Sequence, residues 1–201
     1  VAINPAPVSL CKDLLAGTSV HVGAAIGFPL GQSTPQVKKY ETVDAIANGA
    51  DEIDYVINIT QLKEKNYDFI EHEMAGIVEE CRGAGVISKV IFENCYLTEE
   101  EKRMLCRIVS DSGADYIKTS TGFSTCGATA DDVRLLRACC PPHVKVKAAG
   151  GIASLADAEE FIRLGADRLG TSRVVKIAMA QEQAAQTGTE VQEPDAQDTT
   201  Y

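Results

Sequence analysis

Three charged residues stand inside stretches whose other residues are typical of buried β-strands: Asp54, Lys118 and Lys147. A lone buried charge costs several kcal/mol, so each of these side chains must be paired, reach solvent or change its protonation state. A lysine whose pKa is lowered by burial and by a second cation offers a free amine near neutral pH, and such an amine can form a Schiff base. One hypothesis is therefore that Lys118 forms an imine, with Lys147 as the neighbouring cation and Asp54 as the group that orients or protonates.

Simpler explanations of the same residues stay open at this level. Lys118 is also consistent with a solvated strand end or an ion pair, Lys147 with a surface lysine, and Asp54 with a helix cap or a salt bridge. Glu52 lies two residues before Asp54 and therefore shares its strand face. We expect Glu52 to pair with a buried cation such as Lys89.

The elements that must position these residues recur at regular intervals. Short β-branched runs start roughly 20 to 35 residues apart, and the segments between them have the apolar spacing of helices. Strands alternating with helices in this way indicate a parallel sheet covered by helices. The seven predicted strands are 1–4, 20–26, 53–59, 89–92, 116–119, 144–147 and 168–171.

The residues that start and end the predicted helices recur as well. The triplet Gly-Ala-Asp precedes three of the predicted strands, and its glycine suits the left-handed residue that ends a helix. Thr98, Thr129 and Ser154 each stand three positions before an acidic residue, which is the pattern of a capping box. These signals predict a βα repeat. The triplets are 49–51, 113–115 and 165–167.

A βα repeat folds either as a TIM barrel or as an open, doubly wound sheet. The doubly wound fold would favour Gly-x-Gly-x-x-Gly after the first strand, and none follows Asn4. An eight-stranded barrel has one strand more than the chain offers and usually about 250 residues. We therefore predict an α/β fold, a (β/α)8 TIM barrel that lacks its first strand in this chain, over residues 1–180. Residues 181–201 hold five acids and no lysine or arginine, and they are predicted to form a flexible acidic tail.

Two glycine-containing loops follow the last two predicted strands, at Gly150-Gly151 and Gly170-Thr171-Ser172. Active groups of a barrel lie at the carboxyl ends of its strands, and the last two loops often bind phosphate through backbone N–H groups. Plain βα turns are the alternative. As phosphate sites, these loops would attract an anionic substrate.

Composition excludes several other classes of protein. The net charge of −10 argues against a nucleic-acid surface, and no apolar run is long enough for a membrane span. No signal peptide is recognisable at the start of the sequence. The seven cysteines include no Cys-x-x-Cys pair and the three histidines are isolated, so we expect free thiols in a reducing cytoplasm and no metal site.

Six motifs, in order over residues 1–175, resemble the 2-deoxyribose-5-phosphate aldolase family. Each motif alone is weak, but the set is specific. The motifs are Gly27-Phe28-Pro29-Leu30-Gly31, Gly49-Ala50-Asp51-Glu52-Ile53-Asp54, Lys89-Val90-Ile91-Phe92-Glu93, Lys118-Thr119-Ser120-Thr121-Gly122-Phe123, Lys147-Ala148-Ala149-Gly150-Gly151-Ile152 and Arg168-Leu169-Gly170-Thr171-Ser172.

The resemblance implies a class I aldolase, without metal or other cofactor, that reversibly cleaves 2-deoxy-D-ribose 5-phosphate to glyceraldehyde 3-phosphate and acetaldehyde. The expected partners are therefore a phosphosugar and an aldehyde, with no nucleic acid and no membrane, and a homo-oligomer is left open. The resemblance assigns the imine to Lys118 and assisting roles to Lys147 and Asp54. Tyr201 matches a tyrosine that ends many family tails and is thought to help move the donor proton. The residues that match the phosphate loops are Gly122, Gly150, Gly151, Gly170 and Ser172.

The chain also departs from the family pattern. The Asp-x-Thr segment of the first strand has no counterpart, and Ala2 stands where a cysteine is frequent. Ala153 replaces a usual arginine, whereas Arg173 stands where a small residue is usual, so we expect Arg173 to supply the missing charge to the phosphate. The alternatives are a catalytically silent relative that binds a phosphosugar or a protein, and a transaldolase-like Schiff-base enzyme.

Overall fold

The computed structural model describes residues 1–187, in which strands and helices alternate. Each predicted strand overlaps an observed one. The strands are β1 (Ala2–Ile3), β2 (Gly23–Ile26), β3 (Glu52–Val56), β4 (Ile87–Ile91), β5 (Tyr116–Lys118), β6 (Lys145–Ala149) and β7 (Arg168–Gly170). The helices are α1 (Val8–Leu14), α2 (Pro35–Ala47), α3 (Ile59–Lys63), α4 (Tyr67–Ala84), α5 (Glu99–Ser112), α6 (Ala130–Cys139), α7 (Leu155–Arg163) and α8 (Arg173–Thr187).

The strands form one parallel sheet in chain order from β1 to β7. This order contradicts the doubly wound alternative, in which strand order reverses within the sheet. The sheet is strongly curled. Glu52 in β3 and Arg168 in β7 are four strand spacings apart, or about 19 Å in a flat sheet, yet Glu52 Oε2 lies 2.6 Å from Arg168 Nη1. The architecture is therefore of the TIM-barrel type, and within residues 1–187 no strand pairs with the outer side of β1 or of β7.

The two faces of the curled sheet have different characters, as β3 illustrates. Ile53 and Tyr55 are fully buried in the apolar core that the sheet forms with the helices. Side chains alternate along a strand, so Glu52 and Asp54 lie on the opposite, inner face. The outer face therefore supplies the hydrophobic core, and the inner face holds buried charges.

Each Gly-Ala-Asp triplet ends a helix as predicted. The φ angles of its glycines are 101°, 74° and 102°, in the left-handed region that favours glycine. The aspartate of each triplet has a second role that was not predicted, because its carboxylate accepts a hydrogen bond from a backbone N–H near the start of the preceding strand in the sheet. The pairs are Asp51 with Val22, Asp115 with Ser88 and Asp167 with Val146, at 2.8–2.9 Å.

The three predicted capping boxes are not equally complete. Thr98 and Ser154 form full boxes with the acidic residue three positions later. Thr129 accepts the backbone N–H of Asp132, but the Asp132 carboxylate lies 2.5 Å from Lys102 Nζ and does not return to the cap. An ion pair across two helices therefore takes the place of the second half of this box.

Helix α8 extends beyond the predicted start of the acidic tail. The flexible tail is predicted to begin at Gln181, but α8 continues through Thr187, because the alanines and glutamines of this stretch are good helix formers. Residues 188–201 lie outside the described part of the chain. None of the helices within residues 1–187 combines the length and the apolar character that crossing a membrane requires.

Candidate active site inside the curled sheet

Asp54 lies at the centre of a cluster of lysines on the inner face. Its Oδ2 atom is 3.0 Å from Lys118 Nζ and 2.7 Å from Lys147 Nζ, and its Oδ1 atom is 2.6 Å from Lys89 Nζ. None of the four residues is more than 6 % exposed. Lys118 and Lys147 thus both contact Asp54, as does Lys89.

The strand register explains why these side chains meet. Lys118 of β5 is the direct partner of Lys147 of β6, and Asp54 of β3 is the direct partner of Lys89 of β4. Partners in neighbouring strands point to the same face of a sheet. The curl of the sheet then brings the two pairs together across the interior.

A second layer of charges lies beneath this cluster and is centred on Glu52. Its Oε2 atom is 2.6 Å from both Lys89 Nζ and Arg168 Nη1, and its Oε1 atom is 2.7 Å from His21 Nδ1. The predicted pairing of Glu52 with Lys89 is therefore present. Burial alone would raise the pKa of Glu52, but hydrogen bonds from Arg168 and Lys89 outweigh it and lower the pKa to about 2.

The cluster shifts the pKa values of two of its members in a way that separates their roles. Burial opposes the charge on Asp54, but the ammonium groups of Lys118, Lys147 and Lys89 outweigh it and hold the pKa of Asp54 well below its usual 3.8. Burial, with the repulsion of Lys118 and Lys89, lowers the pKa of Lys147 from 10.5 to about 8 although Asp54 attracts its charge. Asp54 is thus a fixed anion, and Lys147 can exchange a proton near neutral pH.

The interior carries more positive than negative charge. Four cations, Lys89, Lys118, Lys147 and Arg168, face the carboxylates of Asp54 and Glu52. A locally positive interior attracts anions even in a chain whose net charge is −10.

Aromatic rings lie beside Lys118 at the carboxyl end of the sheet. The Phe28 ring, in the loop after β2, has its centroid 6.0 Å from Lys118 Nζ. Phe123, in the loop after β5, meets Phe28 edge to face with centroids 5.4 Å apart. These two rings place an apolar wall beside the amine.

The loops after β5 and β6 pack closely through glycines. A Cβ atom added to Gly150 would lie 3.1 Å from the Cα of Gly127 and 3.6 Å from that of Gly122. Gly150 N–H also donates to the carbonyl of Gly170 at 3.3 Å, and Gly151 is exposed beside it. Four of the predicted phosphate-loop residues therefore lie together at the carboxyl ends of β5, β6 and β7.

The remaining predicted residues lie near the start of α8 or outside the described part of the chain. Ser172 precedes α8 and is exposed, and Arg173 is the first residue of that helix and is half-buried. The preceding Thr171 donates its hydroxyl hydrogen to the carbonyl of Ile152 at 2.9 Å, which ties this helix start to the loop after β6. Tyr201 lies outside the described residues.

Sequence reasoning missed three residues of the site. Gly127 was not singled out, although a Cβ atom there would lie only 2.3 Å from the carbonyl carbon of Gly150. The contact of Lys89 with Asp54 was missed because a β4 lysine can face either of two inner carboxylates. Glu93 belongs to a quoted motif, but its left-handed φ of 56° has no signature in the sequence.

Comparison with known proteins identifies the family. The model of the DeoC/LacD family aldolases matches residues 12–186. A deoxyribose-phosphate aldolase of Bacteroides thetaiotaomicron is 53 % identical over 180 residues, which cover 90 % of this chain and 76 % of the relative. Among solved structures, the aldolase QR15 has a TM-score of 0.85 at 40 % identity and covers 93 % of this chain and 83 % of its own.

A tetrameric deoxyribose phosphate aldolase from Aeropyrum pernix also matches, with a TM-score of 0.81 at 32 % identity over 90 % of this chain and 76 % of its own. The two solved structures share the fold of this chain, and the Bacteroides protein is identical to it at about half of the aligned positions. The chain therefore belongs to the DeoC/LacD family of aldolases.

Proposed function

We propose that this protein is a deoxyribose-phosphate aldolase, a lyase that cleaves 2-deoxy-D-ribose 5-phosphate through an imine on Lys118. The observation that carries the proposal is that Lys118 and Lys147 share one oxygen of Asp54 inside the curled sheet, at 3.0 and 2.7 Å. The substrate class follows from the names of the relatives, which are deoxyribose-phosphate aldolases at about half identity.

Imine formation needs an uncharged amine and a group that manages protons. The nitrogen of Lys118 attacks the C1 aldehyde of the open-chain sugar, and the resulting carbinolamine loses water to give an iminium ion. Lys147 supplies the proton that leaves with the hydroxyl group. With a pKa of about 8, roughly a tenth of Lys147 is uncharged at pH 7, so it can both give and accept protons.

The carbon–carbon bond then breaks towards the iminium ion. Because acetaldehyde keeps C1 and C2, the bond that breaks is C2–C3. A base takes the proton of the C3 hydroxyl, glyceraldehyde 3-phosphate leaves, and the electron pair moves into the enamine on Lys118. Protonation of the enamine at C2 and hydrolysis release acetaldehyde and regenerate the amine. Lys147 is suited to the proton transfers, and Asp54, whose pKa is held low, orients both lysines.

The phosphate of the substrate binds at the glycine loops in this proposal. Gly122, Gly150 and Gly151 have φ values of 93°, 75° and 75°, which let the backbone approach an anion closely. Ser172 and Arg173 at the start of α8 are suitable for the same phosphate, and a helix start favours negative charge. Arg173 takes the role of the arginine that Ala153 replaces.

We also propose that an eighth strand closes the barrel between β7 and β1. Large apolar side chains are exposed on the helices beside this gap, with Leu14 in α1 at 74 % and Met179 in α8 at 57 %. The chain spans about three quarters of the length of the relatives. Hydrogen exchange of the protein purified from its own source tests this closure. The amides of β1 and β7 should exchange as slowly as those of β3 to β5, and faster exchange in β1 and β7 would contradict an eighth strand.

Trapping the imine tests the proposed chemistry. The protein is incubated with acetaldehyde, reduced with borohydride and mapped by peptide mass spectrometry over about pH 6–9, a range that includes the pKa of Lys147. We expect an adduct on Lys118 that Lys118→Met abolishes. Lys145→Met is the matched control, since it removes an exposed lysine from the neighbouring strand.

The same experiment decides between an active enzyme and a catalytically silent relative. The unpaired edges of β1 and β7 favour the silent relative. An adduct on Lys118, together with release of glyceraldehyde 3-phosphate from the sugar phosphate, supports the aldolase. No adduct at any pH, with retained binding of the sugar phosphate, supports the silent relative. A preference for dihydroxyacetone donors over acetaldehyde indicates a transaldolase-like enzyme.

A further inference from the structure

Glu93 combines a buried carboxylate with an unusual backbone conformation. It lies just beyond β4, is 1 % exposed, and has φ 56° and ψ 61°. Residues other than glycine rarely adopt this region, which costs about 1–3 kcal/mol where it occurs. The conformation is held from both sides, because Phe92 N–H donates to the carbonyl of Lys118 and Asn94 N–H to that of Thr119.

The three donors to the Glu93 carboxylate all come from one loop. Oε1 accepts the backbone N–H of Thr121 at 3.1 Å, and Oε2 accepts the hydroxyl groups of Thr121 and of Ser124, the latter at 2.9 Å. None of the ion pairs found within residues 1–187 involves Glu93. A buried carboxylate without a cation is costly unless hydrogen bonds satisfy it. The hydrogen bonds from Thr121 and Ser124 therefore compensate this charge.

This loop connects Glu93 to the reactive lysine through a continuous series of contacts. The Thr121 hydroxyl, held by Glu93, accepts the backbone N–H of Phe123 at 3.0 Å. The Phe123 ring contacts Phe28 at 5.4 Å between centroids, and the Phe28 centroid is 6.0 Å from Lys118 Nζ. Phe123 is 66 % exposed, so burial contributes little to its position, and the hydrogen bonds of the loop help to hold the backbone that carries it.

We propose that Glu93 is a positioning residue that holds the Thr121–Ser124 loop so that Phe123, packed on Phe28, covers Lys118. The inference rests on the proposed function, because it assigns Glu93 a role in reactions of the Lys118 amine. The aromatic cover limits access of water to the imine and confines the small aldehyde beside it. Glu93 itself touches neither the lysine nor the substrate.

A double-mutant cycle tests this role. The variants are Glu93→Gln, Phe123→Ala and the double substitution, and the measurements are kcat for the sugar phosphate and the rate of borohydride trapping at Lys118 with acetaldehyde. Each single variant should lower both rates by about tenfold, as expected for a small loss of positioning. The double variant should be no slower than either single one, because both act through the same ring.

The controls separate positioning from folding. Glu101→Gln makes the same chemical change at the capping box of α5, away from the loop, and should leave both rates unchanged. If Glu93→Gln does not fold, Thr121→Val removes the same hydroxyl from the other side and takes its place in the cycle.

Three results would overturn the inference: unchanged rates in Glu93→Gln, unchanged rates in Phe123→Ala, or an effect of the double variant near the product of the single effects. If the unmodified protein forms no adduct and cleaves no sugar phosphate, the proposed function fails, and the role of Glu93 fails with it. An active protein with unaffected variants refutes the role of Glu93 alone.

Discussion

Replacing Lys147 with methionine should stabilise the protein at pH 7 while it abolishes the proposed activity. Burial lowers the pKa of Lys147 from 10.5 to about 8. At about 1.4 kcal/mol per pH unit, the protonated side chain opposes folding at pH 7 by on the order of 3 kcal/mol. Methionine removes that charge at similar volume, and Asp54 keeps its bonds to Lys118 and Lys89. Up to this amount of stability should therefore be gained.

The gain depends on pH with a definite sign. Between about pH 8 and 10.5 the unfolded chain binds the proton of Lys147 and the folded protein does not. The stability of the unmodified protein therefore rises with pH in this window, whereas that of Lys147→Met does not. The advantage of the variant should be largest at pH 7 and should shrink as the pH approaches 10.5.

Urea unfolding followed by far-UV circular dichroism, at about pH 7 and about pH 9.5, measures both effects. Lys145→Met is the control, because Lys145 is an exposed residue of the same strand and should change stability by about 0.5 kcal/mol or less. Subtracting the control removes the titration of other groups. A Lys147→Met variant that is less stable than the unmodified protein at pH 7, or whose advantage is equal at both pH values, refutes the reasoning.

Three further substitutions test the rest of the site. Asp54→Asn leaves three buried ammonium groups without their shared carboxylate and should lower the free energy of unfolding, measured in urea at pH 7, by about 3–5 kcal/mol. The folded pKa of Asp54 lies below 3.8, so the difference in stability between the variant and the unmodified protein should decrease as the pH falls below 3.8. A difference that stays constant with pH contradicts this. Gly127→Ala places a methyl group 2.3 Å from the carbonyl carbon of Gly150, so KM for the sugar phosphate should rise at least about tenfold, and an unchanged KM contradicts the tight packing. Arg173→Ala should raise KM for the phosphorylated sugar much more than for 2-deoxyribose, and equal effects would dismiss its phosphate role.

The sequence was sufficient for those features that depend on local signals. The glycines of the Gly-Ala-Asp triplets end helices because only a left-handed residue completes the turn there. Lys118 and Lys147 could be singled out because a charge within a β-branched run must be paired, reach solvent or change its protonation state, but the sequence alone did not decide among these outcomes. The structure adds that the two lysines are direct partners in the register of β5 and β6.

Features that depend on distances across the sheet could not be read from the sequence. Lys89 could reach either Glu52 or Asp54, and in the structure it contacts both, at 2.6 Å. The incomplete capping box at Thr129 depends on Lys102, a residue of another helix. The contacts of Glu93 depend on a loop 28 residues further along the chain. In each case a long-range partner competes with the local one.

The Gly-Ala-Asp repeat does more than end helices, because it sets the layers of the interior. The residue directly after each aspartate is Glu52, Tyr116 or Arg168, on β3, β5 and β7. These three belong to alternate strands, the arrangement from which the layers of a barrel interior are built. They form one layer, since Arg168 pairs with Glu52 at 2.6 Å and lies 5.4 Å from the centroid of Tyr116. The aspartate just before each of the three is bonded to the preceding strand of the sheet in the same way.

The residue three positions after each aspartate is Asp54, Lys118 or Gly170, and these form the next layer towards the carboxyl ends. Asp54 and Lys118 are in contact at 3.0 Å. A Cβ atom added to Gly170 would lie 2.9 Å from the Cβ atom of Ala149 and 3.5 Å from Lys147 Cε. Glycine at this point therefore leaves the space into which Lys147 extends to reach Asp54. Asp54, Lys118 and the opening that Gly170 leaves for Lys147 thus all stand at the same distance along the chain from a Gly-Ala-Asp triplet.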